Sequence, residues 1–276
     1  MIGHDLSPTT RPGFDAWMSG PLDDDVGAAA VVDAASPDLV VHLAGRFRGT
    51  TDEIDAANVG TTRALLRALA GRPDCRLVVA GSAAEYGPPI RLDGRLAEND
   101  AANPTSSYGQ AKLAATALVL ADADRGRHAV VARLFNVIGP GMSPALFLGA
   151  LVARLRDALR TTPLVAPKVA VGNLDVRRDF VAVEDAGEIL ARLVLDSAAP
   201  RRLCNVASGV AAPLTDITEA LAAASGVAVL FERDEHFVRT EDPPVIVGDI
   251  ARLRSWVVRV PTPDLRRVVA ATWAAA

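Results

Sequence analysis

Short valine-rich runs recur between longer stretches of helical periodicity, and this alternation constrains the chain more than any other feature. The runs 38–44, 76–81, 129–135 and 202–206 carry little polar alternation, as strands covered on both faces of a parallel sheet do. Helical patterns lie near 24–35, 54–70, 105–123 and 184–196. The order is that of repeated βαβ units, whose right-handed crossovers set the strands side by side in a doubly wound parallel α/β sheet. From Thr215 onward the pattern changes to a helix, strands at 227–232 and 245–247, and a terminal helix after Pro263. The expected division is a Rossmann-like domain of residues 1–140 and 172–206, and a small lobe of residues 141–171 and 207–276.

A chain of 276 residues suffices for one substantial core, or for a core with a smaller lobe. Half its residues are apolar and 22% are charged, which excludes a disordered chain. A formal charge of −4 gives no general reason to expect nucleic acid, so individual arginines must carry any phosphate binding. Cys75 and Cys204 lack partner spacing and read as small core residues in a reducing cytoplasm, with no metal site. No run approaches the roughly 18 apolar residues of a membrane span, so neither membrane insertion nor export is expected.

A doubly wound nucleotide fold ordinarily opens with a strand, a glycine-rich turn and a helix whose N-terminus holds pyrophosphate. That unit is not found in this sequence. Residues 1–6 resemble instead the end of the second strand of such a fold, with Asp5 placed to take ribose hydroxyls. Two expectations stay open: a longer reading frame, or a chain without a conventional dinucleotide site.

The chemistry-bearing residues lie further on. Ser106-Ser107-Tyr108-Gly109-Gln110-Ala111-Lys112 opens a helical stretch, so Tyr108 and Lys112, four apart, project from one face. A phenol with an ordinary pKa near 10 acts as acid or base near neutrality when a neighbouring positive charge favours phenolate, and Lys112 is expected to supply it. The run 76–80 leads into Gly81-Ser82-Ala83-Ala84-Glu85-Tyr86-Gly87. This puts the Ser82 hydroxyl just past the carboxyl end of a parallel strand, where open α/β sheets gather ligands.

With Phe135-Asn136-Val137-Ile138-Gly139-Pro140-Gly141 and Val171-Gly172-Asn173-Leu174-Asp175-Val176-Arg177-Arg178-Asp179-Phe180, these motifs give a specific likeness. From Asp5 onward the chain resembles the extended short-chain dehydrogenase/reductases, also called the NAD-dependent epimerase/dehydratase family, and within it the GDP-4-keto-6-deoxy-mannose reductases. The resemblance implies that Ser82 and Tyr108 bond the C4 oxygen of a nucleotide-linked sugar, and that Lys112 also holds the nicotinamide ribose of NAD or NADP. It places Asp5, Ala44 and Gly45 along the cofactor, and Asn136, Arg178, Arg239 and Asp242 along the substrate. It makes Asn58 a support for the catalytic helix, and implies a homodimer built through helices 54–70 and 105–123.

Departures from the family pattern narrow the expectation. Ala83 and Ala84 stand where dehydratases carry acids, so a 4,6-dehydratase is not expected. Glu85 is expected to point away from the site, and His42 reads as a satisfied strand histidine. Pro21 replaces an aspartate that usually faces adenine. Arg46 and Arg48 read as solvated side chains. The leading expectation is an NAD(P)-dependent 4-ketoreductase or 4-epimerase; the alternative is a redox-silent relative performing elimination or isomerisation without dinucleotide.

Overall fold

The computed structural model describes residues 1–8, 11–161, 166–199, 202–238, 242–257, 260 and 262–276. The first half of the chain forms β1 (Ile2–Asp5), β2 (Ala16–Ser19), α1 (Asp25–Ala35), β3 (Leu39–His42), α2 (Thr51–Asp55), α3 (Thr61–Ala68), β4 (Arg76–Ser82), β5 (Arg95–Leu96) and α4 (Ser107–Ala123). The second half forms β6 (Ala129–Leu134), β7 (Asn136–Ile138), α5 (Phe147–Thr161), β8 (Lys168–Val171), β9 (Arg177–Ala182), α6 (Val183–Leu195), β10 (Arg202–Val206) and β11 (Ala211–Pro213). It closes with α7 (Leu214–Ser225), β12 (Leu230–Arg233), β13 (Val245–Gly248), α8 (Ala251–Trp256) and α9 (Leu265–Ala275).

Two compact units result, one of Met1–Pro88, Glu98–Leu134 and Ile189–Cys204, the other of Pro89–Ala97, Phe135–Glu188 and Asn205–Ala276. The first is built on a sheet of order β10-β6-β4-β3, with β4 parallel to both neighbours. Its core joins Val32 of α1, Leu65 of α3, Leu77 and Val79 of β4, Val119 of α4 and Val131 of β6. Burying an aliphatic side chain of this size is worth about 1.5–3 kcal/mol, so these crossings hold the helices on the sheet. β1 pairs in parallel with β2 in a separate two-stranded sheet. Residues 2–5 thus form a strand where a strand end was expected, paired with β2 and not with the four-stranded sheet.

The expected helix 54–70 divides in two. It starts earlier, because Thr50 and Glu53 form a reciprocal capping box ahead of α2. Between α2 and α3 the chain makes a π-helical turn, Ala56–Gly60. There the buried Asn58 side chain donates to the carbonyls of Arg46 at 2.7 Å and Ile54 at 2.8 Å. A side chain that claims helix carbonyls favours such a widened turn, a feature frequent near functional sites.

In the second unit β9 pairs with β7, β11 and β13, and β13 pairs with β5. These ladders draw residues 172–188 and 89–97 into this unit, whereas the sequence pattern placed both segments in the first. The strands β5, β7, β8, β9 and β11 and the helices α5 and α8 lay outside what hydrophobic periodicity suggested, the strands because two to six residues give it little to read. The core of this unit packs Leu148, Leu151 and Leu155 of α5 with Ile217 and Leu221 of α7 and Val268 and Val269 of α9.

Asp179 organises the loops of the second unit. Its buried carboxylate accepts the Ser208 hydroxyl at 2.6 Å and the backbone N–H groups of Ser208 at 2.8 Å, Gly209 at 2.9 Å and Gly248 at 3.1 Å. Asp179→Ala is expected to strand these donors and to cost about 3 kcal/mol or more, read as a lowered urea midpoint.

Candidate active site

Ser82 is the last residue of β4 and the N-cap of a 3-10 turn, Ala83–Glu85. Its hydroxyl accepts the Ala84 N–H at 3.2 Å, while the Glu85 carboxylate accepts the Ser82 N–H at 2.8 Å. The strand end is therefore fixed by reciprocal side-chain bonds. Helix α4 starts just after Ser106, whose hydroxyl accepts the Gly109 N–H at 3.1 Å, so Tyr108 falls in the first turn. Gly109 lets that turn approach: a Cβ there would stand 2.5 Å from the Ala84 carbonyl oxygen.

The approach brings the expected residues together. The Ser82 hydroxyl lies close enough to the Tyr108 phenol to lower it by hydrogen bonding. Lys112, 6% exposed, donates to the Ala80 carbonyl at 2.9 Å. A Cβ added to Gly45 would lie 2.6 Å from Asn58 Oδ1 and 3.1 Å from Lys112 Nζ, so only glycine fits at this point of the loop after β3. Asn58 Oδ1 is buried without a hydrogen-bond partner. Ala44 and Gly45 are exposed, and Asp5 at the end of β1 is half-buried, accepting the Ser7 N–H at 3.3 Å.

The electrostatics differ from the expectation in one respect. Lys112 was expected to make Tyr108 more acidic, yet burial pushes the phenol above its usual value, the Glu85 charge pushes it further, and only the Ser82 hydrogen bond opposes them. The reason is geometric: the ammonium is directed at the Ala80 carbonyl and lies beside Gly45. Burial lowers Lys112 itself, with Glu85 acting against it. Glu85 was expected to point away from the site, yet it is fully buried beside it, accepting the Ser82 N–H through Oε1 and lying with Oε2 2.8 Å from Arg133 Nε.

Sequence reasoning missed Phe47. Its ring meets Tyr108 edge-on, centroids 6.4 Å apart, with the Arg48 guanidinium 5.7 Å from the Phe47 centroid. A lone phenylalanine in a loop gives no pattern to read. Arg46 is exposed and pairs with Glu53 at 3.2 Å.

The second unit carries the expected substrate residues separately. Arg178 is ion-paired with Asp242 and donates to the Pro243 carbonyl at 2.9 Å. Asn136 is exposed and begins β7, donating to the Asp179 carbonyl at 2.8 Å. Arg239 lies outside the described residues. Among the described residues no cluster of three or more His, Cys, Asp or Glu could hold a metal ion, and no helix is long and apolar enough to cross a membrane.

A serine at a strand end thus lies beside a tyrosine that precedes a buried lysine by one helical turn, on a parallel α/β sheet. Residues 6–207 match the model of the NAD dependent epimerase/dehydratase family, and the chain belongs to that family. It is 36% identical over 208 residues to a dTDP-6-deoxy-L-talose 4-dehydrogenase (NAD(P)(+)) of Kitasatospora kifunensis, covering 74% of this chain and 64% of that protein. The chain thus spans less than two thirds of the length of this relative. It is 28% identical over 251 residues to the GDP-6-deoxy-D-mannose reductase of Pseudomonas aeruginosa, covering 86% of this chain and 80% of the reductase. Among solved structures, MoeE5 in complex with UDP-glucose and NAD superposes with a TM-score of 0.83 at 26% identity, over 99% of this chain and 89% of MoeE5.

His42, 5% exposed and 3.4 Å from the Thr61 hydroxyl, is held from 6.5 down to about 4, chiefly by burial and then by Lys112 and His4. An unfolded chain takes up this proton below pH 6.5 and the folded chain only near 4, so the contribution of His42 is complete above 6.5 and declines as pH falls through that window. The loss amounts to about 3 kcal/mol at most. Urea unfolding of His42→Gln between pH 6.5 and 4.5 is expected to show a shallower pH slope than the parent chain.

Proposed function

We propose that this chain is an NAD(P)-dependent reductase of a nucleotide-linked 4-keto-6-deoxysugar, or a closely related 4-epimerase. The observation that carries the reading is the close packing of the first turn of α4 on the turn after Ser82, which sets Tyr108 beside the Ser82 hydroxyl with Lys112 buried one turn along the same helix. Both hydroxyls can then address one oxygen, the C4 oxygen of the sugar. Ser82 polarises it, and Tyr108 delivers the proton that converts it to a hydroxyl. A phenol raised by burial and by Glu85 stays protonated at neutral pH, which suits a proton donor and hence the reductive direction.

The residues present fit the nicotinamide end of NAD or NADP. Gly45 leaves a cradle that a Cβ would fill, and Lys112 gives one bond to Ala80, which leaves ammonium protons for ribose hydroxyls. Ala44, Gly45, Tyr108 and Lys112 would hold this half, and Asp5 the other ribose. When bound, the nicotinamide exchanges hydride with C4. The relatives name dTDP, GDP and UDP sugars, so the base is left open. Arg178 is proposed to grip the diphosphate by exchanging its Asp242 partner for phosphate oxygens, with Arg239 as a second fork, Asp242 near the nucleotide ribose and Asn136 as a sugar contact. We place the enzyme in the cytoplasm, where the free thiols Cys75 and Cys204 stay reduced. We assign it a homodimer formed through α2, α3 and α4, consistent with the exposed, small Ala114, Ala117 and Ala121 on α4.

A second reading of the same Ser82, Tyr108 and Lys112 group is acid/base chemistry on a carbonyl without dinucleotide. Fluorescence titration with NADH and NADPH separates the two: saturable binding supports the reductase, and its absence supports the second reading. Tyr108→Phe is expected to lower turnover of a dTDP- or GDP-linked 4-keto-6-deoxyhexose by about 100-fold or more while leaving the unfolding midpoint unchanged. Sedimentation velocity is expected to show a dimer; a monomer alone would contradict the assembly.

A further inference from the structure

The site described above uses Ser82, Tyr108 and Lys112, and leaves a fully buried carboxylate directly behind them without a part. Glu85 has 0% exposure and ends the turn that Ser82 begins. Its Oε1 accepts the Ser82 N–H at 2.8 Å. Its Oε2 accepts the Thr116 hydroxyl at 2.8 Å and the Arg133 Nε–H at 2.8 Å. Thr116 is one helical turn beyond Lys112 and two beyond Tyr108, on the same face of α4. Arg133 lies on β6, 3% exposed, with its guanidinium 4.2 Å from the Tyr86 ring centroid. One carboxylate therefore ties together the strand end bearing Ser82, the helix bearing Tyr108 and Lys112, and the neighbouring strand. The seat is built for it: a Cβ on Gly81 would stand 2.7 Å from Glu85 Oε1.

We propose that Glu85 is a positioning residue, whose buried carboxylate, clamped by Ser82 N–H, Thr116 and Arg133, holds the Ser82 hydroxyl against the Tyr108 phenol. The inference rests on the reading of that pair as the proton-handling site. A buried ion pair is a costly way to join three elements, and apolar residues would join them as well. What the carboxylate adds is a fixed negative charge beside the working groups. It raises both Tyr108 and Lys112, so it keeps the phenol protonated and the ammonium charged. The other charged or titratable groups around the pair are His42 on β3, Arg46 and Arg48 in the loop after it, and Arg133 on β6. His42 is neutral near pH 7 and Arg133 is matched by Glu85 itself.

The test uses the full chain labelled with tyrosine carrying 13C at Cζ. The chain has two tyrosines, Tyr86 and Tyr108, so the spectrum has two signals and Tyr108→Phe assigns them. Glu85→Gln keeps an acceptor for the Ser82 N–H and removes the charge. The Tyr108 signal is expected to titrate about one pH unit lower than in the parent chain. Glu85→Gln combined with Arg133→Met removes both members of the ion pair, guards against misfolding, and is expected to move the signal in the same direction by a smaller amount. Leu221→Ala, a core change in the other unit, is expected to leave the signal in place. With the 4-keto sugar, Glu85→Gln is expected to lower kcat on the order of tenfold at pH 7 with KM held. An unmoved Tyr108 titration in both Glu85 variants overturns the proposal, as does an equal shift in Leu221→Ala. Because the titration needs no turnover, a displaced signal in a chain without reductase activity counts against the proposed function and not against Glu85.

Discussion

The first turn of α4 has to lie against the end of β4, and most of what this chain can do depends on that one close approach. It is possible because Gly109 offers no Cβ to the Ala84 carbonyl, and because Gly81 leaves room for the Glu85 carboxylate under the turn. Given that approach, the rest is register. Ser106 caps the helix, Tyr108 falls in its first turn, Lys112 and Thr116 follow at intervals of four, and the Ser82 hydroxyl finds the phenol. A side chain larger than hydrogen at position 109 would push helix and strand apart before any catalytic residue was altered.

The charges around this contact are arranged to hold protons rather than release them. Tyr108 is raised by burial and by Glu85, and Lys112 is kept charged by the same carboxylate against the pull of burial. In the proposed reductase the proton donor, Tyr108, has to be loaded before the reaction begins, and this environment favours that.

Much of this was legible in the amino-acid order. The valine-rich strands and the helix carrying Tyr108 and Lys112 were evident from periodicity, because long segments buried on defined faces write a clear pattern. Ser82 was evident from its place after a strand. The π-turn at Asn58 was not, because it depends on a side chain bonding carbonyls of Arg46 and Ile54 that only the fold brings near. Nor was the ion pair of Glu85 with Arg133, 48 residues apart in sequence. The influence expected of Lys112 on Tyr108 failed for a related reason: helical spacing puts two side chains on one face but does not say where the longer one points. The second unit was the least legible, since its short strands β5, β7 and β11 are defined by their partners and not by their own sequence.

The proposed reaction requires two hydroxyls, from Ser82 and Tyr108, to address a single substrate oxygen. A crystal structure of this chain with a bound dTDP- or GDP-linked 6-deoxyhexose tests it most directly. The sugar O4 is expected within about 3 Å of both Ser82 Oγ and Tyr108 Oη. A sugar seated with O4 bonded to neither hydroxyl, while the nucleotide is held elsewhere on the chain, would contradict it.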